Sequence, residues 1–229
     1  TRDAELVARP DLATQWSLSD DRLTWTFTLR SDAKFSDGTS LTATDVAFTF
    51  NEAAKAGGVL DLTVLERATA IGETMVEIRL KRPWITFAEN FFALGIVPAA
   101  SYSEGYARSP VGSGPYRLVS WTQGEQLIVA ANPAYYGARS AFEKITFVFT
   151  DEDTSLAAAQ GGQVDMVAVP ATAADLAPAG FVQRVVASVD NRGITFPMLP
   201  DTGERNAEGE KLGNAVTADI AIRQAINLR

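Results

Sequence analysis

The chain has no cysteine and no histidine in its 229 residues. Without cysteine there is no disulfide, no thiol nucleophile and no thiolate-held metal, although the compartment stays open because exported proteins can do without disulfides. Without histidine, neither a Ser-His-Asp triad nor a His-ligated zinc site can be built from these residues alone. Basic residues are also in short supply, 20 Lys and Arg against 28 Asp and Glu, for a net charge of −8. The basic residues are scattered and the pI is near 4.7, which argues against nucleic acid, whose phosphates require clustered cations. No run approaches the roughly 18 to 20 apolar residues that span a bilayer, and the first residues carry no charged n-region followed by an apolar h-region. What is abundant is ordinary core material: 46% of the residues are hydrophobic, enough for one large domain or two small ones.

Periodicity then divides the chain. Leu23, Trp25, Phe27 and Leu29 fall on one parity and Thr24, Thr26, Thr28 and Arg30 on the other, the period of a strand with one buried face. The run stops at Ser31–Gly38, where turn residues surround a lone Phe35, expected to be a buried plug. Thr42 followed by Asp45 resembles a capping box, and Val46, Phe50, Ala53 and Ala54 continue at helical spacing until Gly57-Gly58. Val76, Ile78 and Leu80 alternate after a Gly72-Glu73-Thr74 turn, predicting a hairpin with a strand near Ala68–Ile71. Pro83 predicts the first turn of a helix carrying Trp84, Phe87, Ala88, Phe91 and Phe92. Three further strands are expected, from Tyr116, over Leu127–Ala131, and through Ile145, Phe147 and Phe149.

Beyond residue 150 the pattern changes to short strands alternating with helices, the signature of α/β structure. Asp151 opens a helix that ends at Gly161-Gly162. A strand is predicted for Val164–Val169, a helix for Ala171–Leu176, and strands for Val182–Val189 and Ile194–Met198. Residues 200–216 read as a solvated loop or hairpin, and Ala218–Arg229 as a helix capped by Asp219 or Thr217. That last helix carries no stop signal, and the sequence reads as a fragment of a longer protein.

The motifs that invite catalytic readings give them little support. Gly112-Ser113-Gly114 lacks the Gly-Lys-Ser/Thr of a phosphate loop, has Arg117 where a dinucleotide fingerprint needs glycine, and has the wrong spacing for a nucleophile elbow. Asp151, Glu152 and Asp153, or Asp20 with Asp37, could in principle work as paired carboxylates of a histidine-free hydrolase, but acids at such positions ordinarily cap helices and turns. Asp201–Asn206 lacks the alternate oxygen ligands and sixth-place glycine of a calcium loop.

The ordered blocks WSLSDDRLTWTFTLRSDAKFSDGTSLTATDVAFTF, VGSGPYRLVSW, NPAYYG, GGQVDMV and IRQAIN resemble family 5 of the bacterial extracytoplasmic solute-binding proteins, which serve peptide and nickel ABC importers. One departure stands out: Asp21-Arg22 replaces the Asp-Gly usual in the family. The resemblance implies a mixed α/β, type II periplasmic-binding-protein fold. This chain would form most of the first lobe, with residues 1–150 as a strand-rich subdomain, 151–229 as part of an α/β subdomain near the hinge, and the second lobe absent. It implies a non-enzymatic, monomeric, periplasmic or extracytoplasmic receptor without a cofactor, lipid-anchored or not, that passes a small solute, above all a peptide, to an ABC permease in the membrane.

By the same resemblance, first-lobe contacts to the ligand come from Gly58 and Leu60, from Phe91, Phe92 and Leu94, and from Phe196 and Met198. The charged clamps for peptide termini, and the metal-contacting His of nickel-binding relatives, belong to the second lobe, so a chain holding only the first should bind ligand weakly. A nickel or metal-chelate receptor is the alternative within the family, though Leu60 and Leu94 stand where such binders are expected to place Arg or Trp. A carboxylate hydrolase and a ligand-sensing regulator domain are the alternatives outside it; a DNA-binding segment upstream would mark the regulator.

Overall fold

The computed structural model describes residues 1–229 except 2, 4–6, 58–59, 91–93, 170–179, 185–199, 208, 215 and 228–229. The chain divides into two compact units, Thr1–Ala168 and Val169–Arg229. The first unit holds two antiparallel sheets. One has the order β1-β2-β4-β3, from β1 (Ala13–Leu18), β2 (Thr24–Leu29), β3 (Leu65–Ile71) and β4 (Met75–Leu80). The other has the order β5-β6-β7, from β5 (Tyr116–Thr122), β6 (Gln126–Ala131) and β7 (Lys144–Val148).

The parity of β2 decides the first sheet. Trp25 and Leu29 are buried, and Trp25 pairs with Ile78 and Phe27 with Val76 across β4. The faces that these residues share are therefore one continuous apolar surface. Helix α1 (Ala43–Ala56) packs on β3 and β4 and buries Val46, Ala47 and Phe50 with Trp25, Val76 and Leu80. Phe35 is 1% exposed, as its isolation in a polar turn predicts. The turn that inserts it is closed by Gly38 N–H to Phe35 O and by Asp37 Oδ1, which accepts from Thr39 N and Oγ1. Gly38 has φ +91, a conformation that a side chain would strain.

The hairpin joining β1 to β2 explains the departure noted in the sequence. Arg22 has φ +59, and it is the one non-glycine residue with positive φ among those described. The turn still closes because Asp21 Oδ1 accepts from Ser19 Oγ and Leu23 N, and Arg22 N–H bonds Ser19 O. These bonds offset the left-handed cost that glycine would avoid.

Helix α1 begins at the predicted box. Asp45 Oδ2 accepts from Thr42 N at 2.9 Å and Thr42 Oγ1 at 3.0 Å. Its far side is tied to β3 by Asn51, which gives Nδ2 to Ala68 O and takes Ala68 N–H on Oδ1, both at 2.9 Å. These two bonds occupy the backbone groups of Ala68 on the open side of an edge strand.

Three expectations are corrected, the last in part. The aromatic helix does not begin at Pro83; helix α2 begins at Phe87 and is described over Phe87–Asn90. Trp84 O accepts from Trp25 Nε1 at 3.3 Å and Phe87 N at 3.3 Å, so tertiary contact with the sheet holds Trp84 ahead of the helix. Val164–Val169 is not a strand. Alternation supplies a face but no ladder partner, and Met166 lies 84% exposed. Residues 181–184 are likewise outside any strand. The helix predicted for Ala171–Leu176, the remainder of the strand expected to Val189, and the strand Ile194–Met198 lie outside the described residues.

Helix α3 (Glu152–Gln160) is capped by Asp151 Oδ1, which accepts from Thr154 N at 2.7 Å. The second unit contains the predicted polar hairpin, with an antiparallel bridge between Arg205 and Lys211 and an ion pair from Lys211 Nζ to Asp201 Oδ2 at 2.5 Å. It also contains α4 (Ile220–Asn227), whose first turn receives Asp219 Oδ1 on Ala221 N. No helix among the described residues is long and apolar enough to cross a membrane.

Candidate functional site

A concavity of about 430 Å³ opens on the first unit, within the range of small-molecule sites. Phe27, Leu29 and Ile78 of the first sheet form one wall and Val46 and Phe50 of α1 another. Trp16 of β1 and Ala88 of α2 extend it, and the backbone stretches Leu94–Ile96 and Gly112–Gly114 complete it. The walls are thus mainly apolar, and glycine at 95, 112 and 114 brings the main chain itself to the lining. That combination offers burial to an apolar group and a close approach to the main chain beside it.

The wall at Leu94–Ile96 is held by the polar face of α1. Asp45 Oδ1 accepts from Ala99 N at 2.9 Å, and Thr49 Oγ1 accepts from Val97 N at 3.1 Å while donating to Asp45 O at 2.8 Å. Asp45 and Thr49 are both buried. One carboxylate thus closes the helix start with one oxygen and anchors the pocket wall with the other. The capping pattern was legible in sequence; the second duty of Asp45, and the whole role of Thr49, were not, because they join residues about fifty positions apart. The Gly112 wall is fixed in the same way: Ser36 N bonds Gly112 O at 2.8 Å, and Asn132 Nδ2 bonds Gly114 O at 2.8 Å.

The mouth is polar. Asp11 lines it, and its Oδ1 accepts from the Tyr136 hydroxyl at 3.0 Å. Burial, and then the Asp11 carboxylate, push the Tyr136 phenol well above its usual range. The Arg30 guanidinium lies 4.0 Å from the centre of the Tyr136 ring and is bound through Nε and Nη2 to Asp32 at 2.6 and 2.9 Å. That hydrogen-bonded pairing raises Arg30 and lowers Asp32 relative to their ordinary values.

Of the residues expected to contact ligand, Leu94 lines the concavity, while Leu60, half-buried at a bend, does not. Gly58, Phe91, Phe92, Phe196 and Met198 lie outside the described residues. Sequence reasoning missed Trp16, Asp11 and the Gly112–Gly114 stretch. The last carried a signal, its Gly-Ser-Gly-Pro composition, that was weighed only as a catalytic loop.

Of the carboxylates considered for hydrolysis, Asp37 and Asp151 serve as structural acceptors. Asp37 binds Thr39 and Asp151 binds Thr154, and these bonds lower both carboxyls below their ordinary value. A general acid requires the opposite shift. Among the described residues, no group of three His, Cys, Asp or Glu side chains is placed to hold a metal ion.

Residues 7–228 match the family described as bacterial extracellular solute-binding proteins, family 5 Middle. The probable D,D-dipeptide-binding periplasmic protein DdpA of Escherichia coli is 36% identical over 157 residues, 63% of this chain and 30% of that protein. The oligopeptide-binding protein AppA of Bacillus subtilis, solved with a nonapeptide, superposes with a TM-score of 0.66 at 26% identity, covering 76% of this chain and 38% of that one. NikZ of Campylobacter jejuni, solved with Ni(L-His), superposes with a TM-score of 0.72 at 22% identity over 77% and 38% of the two chains, which speaks for the fold. The chain spans between 30% and 38% of the length of these relatives.

Proposed function

This chain belongs to the bacterial extracellular solute-binding proteins of family 5, and on that premise we propose that it forms part of the ligand-binding body of an ABC importer receptor whose solute is a peptide or a small molecule of similar chemistry. Its fold is the mixed α/β fold shared with the solved family structures. The observation that carries the proposal is the 430 Å³ concavity, mainly apolar inside and lined at its rim by Gly95 and the Gly112–Gly114 stretch. Backbone hydrogen bonds plus an apolar recess suit a ligand with a repeating peptide chain and a variable side chain. The role is capture and delivery rather than catalysis. It places the protein outside the cytoplasmic membrane, working as a monomer with a membrane permease as partner and no nucleic acid.

The division of labour is proposed to follow the subdomains expected from sequence, 1–150 and 151–229, with closure around the ligand driven by contacts made only in the closed state. Native mass spectrometry of the intact protein containing this chain, purified without added ligand, provides the test. Short peptides released on denaturation, and calorimetric rebinding of the same peptides, are the expected result. Release of a nickel chelate would transfer the protein to the metal-importing branch of the family, and no bound solute together with no peptide affinity would overturn the proposal.

A further inference from the structure

The first sheet carries a second concave patch, on the face turned away from α1. Thr24, Glu77 and Arg79 lie on the parity opposite to the buried Trp25, Ile78 and Leu80. With Arg67, Thr69 and Ile71 they enclose a cavity of about 330 Å³. The strands that bear these side chains, β2, β3 and β4, are described throughout. Their register sets the charges. Arg67 stands directly opposite Arg79, and Thr69 directly opposite Glu77, so Arg67 and Glu77 are diagonal neighbours whose backbones lie roughly 7 to 8 Å apart. Two guanidinium groups in opposite positions repel each other. The register shift between Leu65 and Arg67 relieves Arg79 by adding Glu66 to the exposed side. Glu66 Oε2 lies 3.4 Å from Arg79 Nε, and Thr24 Oγ1 accepts from Arg79 Nη1 at 3.3 Å. Arg67 and Glu77 keep their charges unmatched, since among the described residues neither side chain enters an ion pair or a hydrogen bond.

We propose that this patch is a binding site for a small zwitterion, with Arg67 receiving its anionic group and Glu77 its ammonium. A molecule with both charges matches both residues at once, whereas a simple anion or a simple cation meets one partner and one repelling charge. The diagonal spacing suits an amine and a carboxylate at opposite ends of a short chain. Thr69 lies between Arg67 and Ile71 on the same face of β3 and offers its hydroxyl to either group. Ile71, 46% exposed, gives the connecting methylenes an apolar wall. Charge-assisted hydrogen bonds exceed neutral ones, but at exposed positions each contributes little alone, so affinity depends on the two acting together. The 430 Å³ concavity is lined by Phe27, Leu29 and Ile78 on the other face of the sheet, and the inference is independent of what that concavity holds.

The test uses the intact protein containing this chain, isotope-labelled at the isoleucine methyl groups and titrated in NMR with γ-aminobutyrate. Butyrate and butylamine, each with one of its charges, are the controls. Ile71→Val identifies the Ile71 signal by removing it. γ-Aminobutyrate should shift that signal saturably and leave Ile78, buried on the other face, in place. Each control should bind at least about tenfold more weakly, the loss of one charge-assisted contact. Arg67→Gln should remove the advantage of γ-aminobutyrate over butylamine, and Glu77→Gln its advantage over butyrate. Both side chains are exposed, so the fold is spared, and an unmoved Ile78 signal in each variant checks this. An Ile71 signal that does not respond, equal binding of the three compounds, or variants that keep the full preference would each overturn the assignment. None of these outcomes touches the solute site, which has its own test.

Discussion

The two sheets of the first unit are both built from largely apolar strands and end in different states. In β1-β2-β4-β3, helix α1 closes one face, and Trp25, Leu29, Val76, Ile78 and Leu80 are all buried. In β5-β6-β7, Trp121, Leu127 and Phe147 face one another across three strands, yet Trp121 stays 39% and Phe147 49% exposed. The difference lies in cover. A sheet face gains its stability from what is laid upon it; the first sheet has α1 as its lid, whereas among the described residues Trp121 and Phe147 of the second stay partly exposed. The first sheet therefore carries a closed core, with the concavity cut into its edge.

Each of the following measurements, made by urea unfolding of this chain, would break or sharpen that contrast. The largest effect is expected from Phe35→Ala in the closed core. Phe35 is 1% exposed, and its removal should cost about 3 to 5 kcal/mol; a loss below 1 kcal/mol would mean that the core is far looser than it looks. Next comes Asp45→Ala, which strips the start of α1 and leaves the Ala99 N–H without its acceptor. A loss of about 1 to 3 kcal/mol is expected, with faster amide exchange at Val97 and Ala99 as the sign that the pocket wall has been freed. Unchanged exchange there would separate Asp45 from the wall.

Arg22→Gly should act in the opposite direction, stabilising by about 1 kcal/mol because φ +59 is costly for any side chain; a destabilisation would show that the Arg22 side chain contributes more than its backbone costs. On the open sheet, Trp121→Ala should cost no more than about 1 kcal/mol, chiefly its stacking with Arg108, whose guanidinium lies 5.3 Å from the ring centre. A loss matching that of Phe35→Ala would abolish the distinction between the sheets. The smallest effect is expected from acid. The Thr39 hydroxyl and N–H lower the Asp37 carboxyl. The stability this contributes is complete above the unfolded value near 3.9 and is lost as pH falls through the lower folded value. Asp37→Asn should flatten the acid side of the pH dependence of the urea midpoint, below the ordinary carboxylate range, and an unaltered slope would remove Asp37 as a contributor.

Local grammar was legible to the extent that it was local. The period of two in β2, the box at Thr42 and Asp45, and the plug at Phe35 each depend on residues a few positions apart. The order of the five sequence blocks was specific enough to indicate the family that residues 7–228 match. The failures share the opposite property. Val164–Val169 alternates like a strand but finds no ladder partner among the described residues, and Pro83 looks like a helix start that contact with Trp25 displaces to Phe87.

The sequence by itself determined the turns, the caps, the buried parity of the strands and the family, because these follow from backbone sterics and from periodicity along the chain. Only the tertiary structure decided which polar groups meet. Asp45 reaches Ala99, Ser36 reaches Gly112, and Asp11 is turned by Tyr136 from 125 positions away. Hydrogen bonds and charges act through distances of a few ångströms in space, and the spacing of residues along the chain carries no record of which distant segments the packing of the core will bring within that reach.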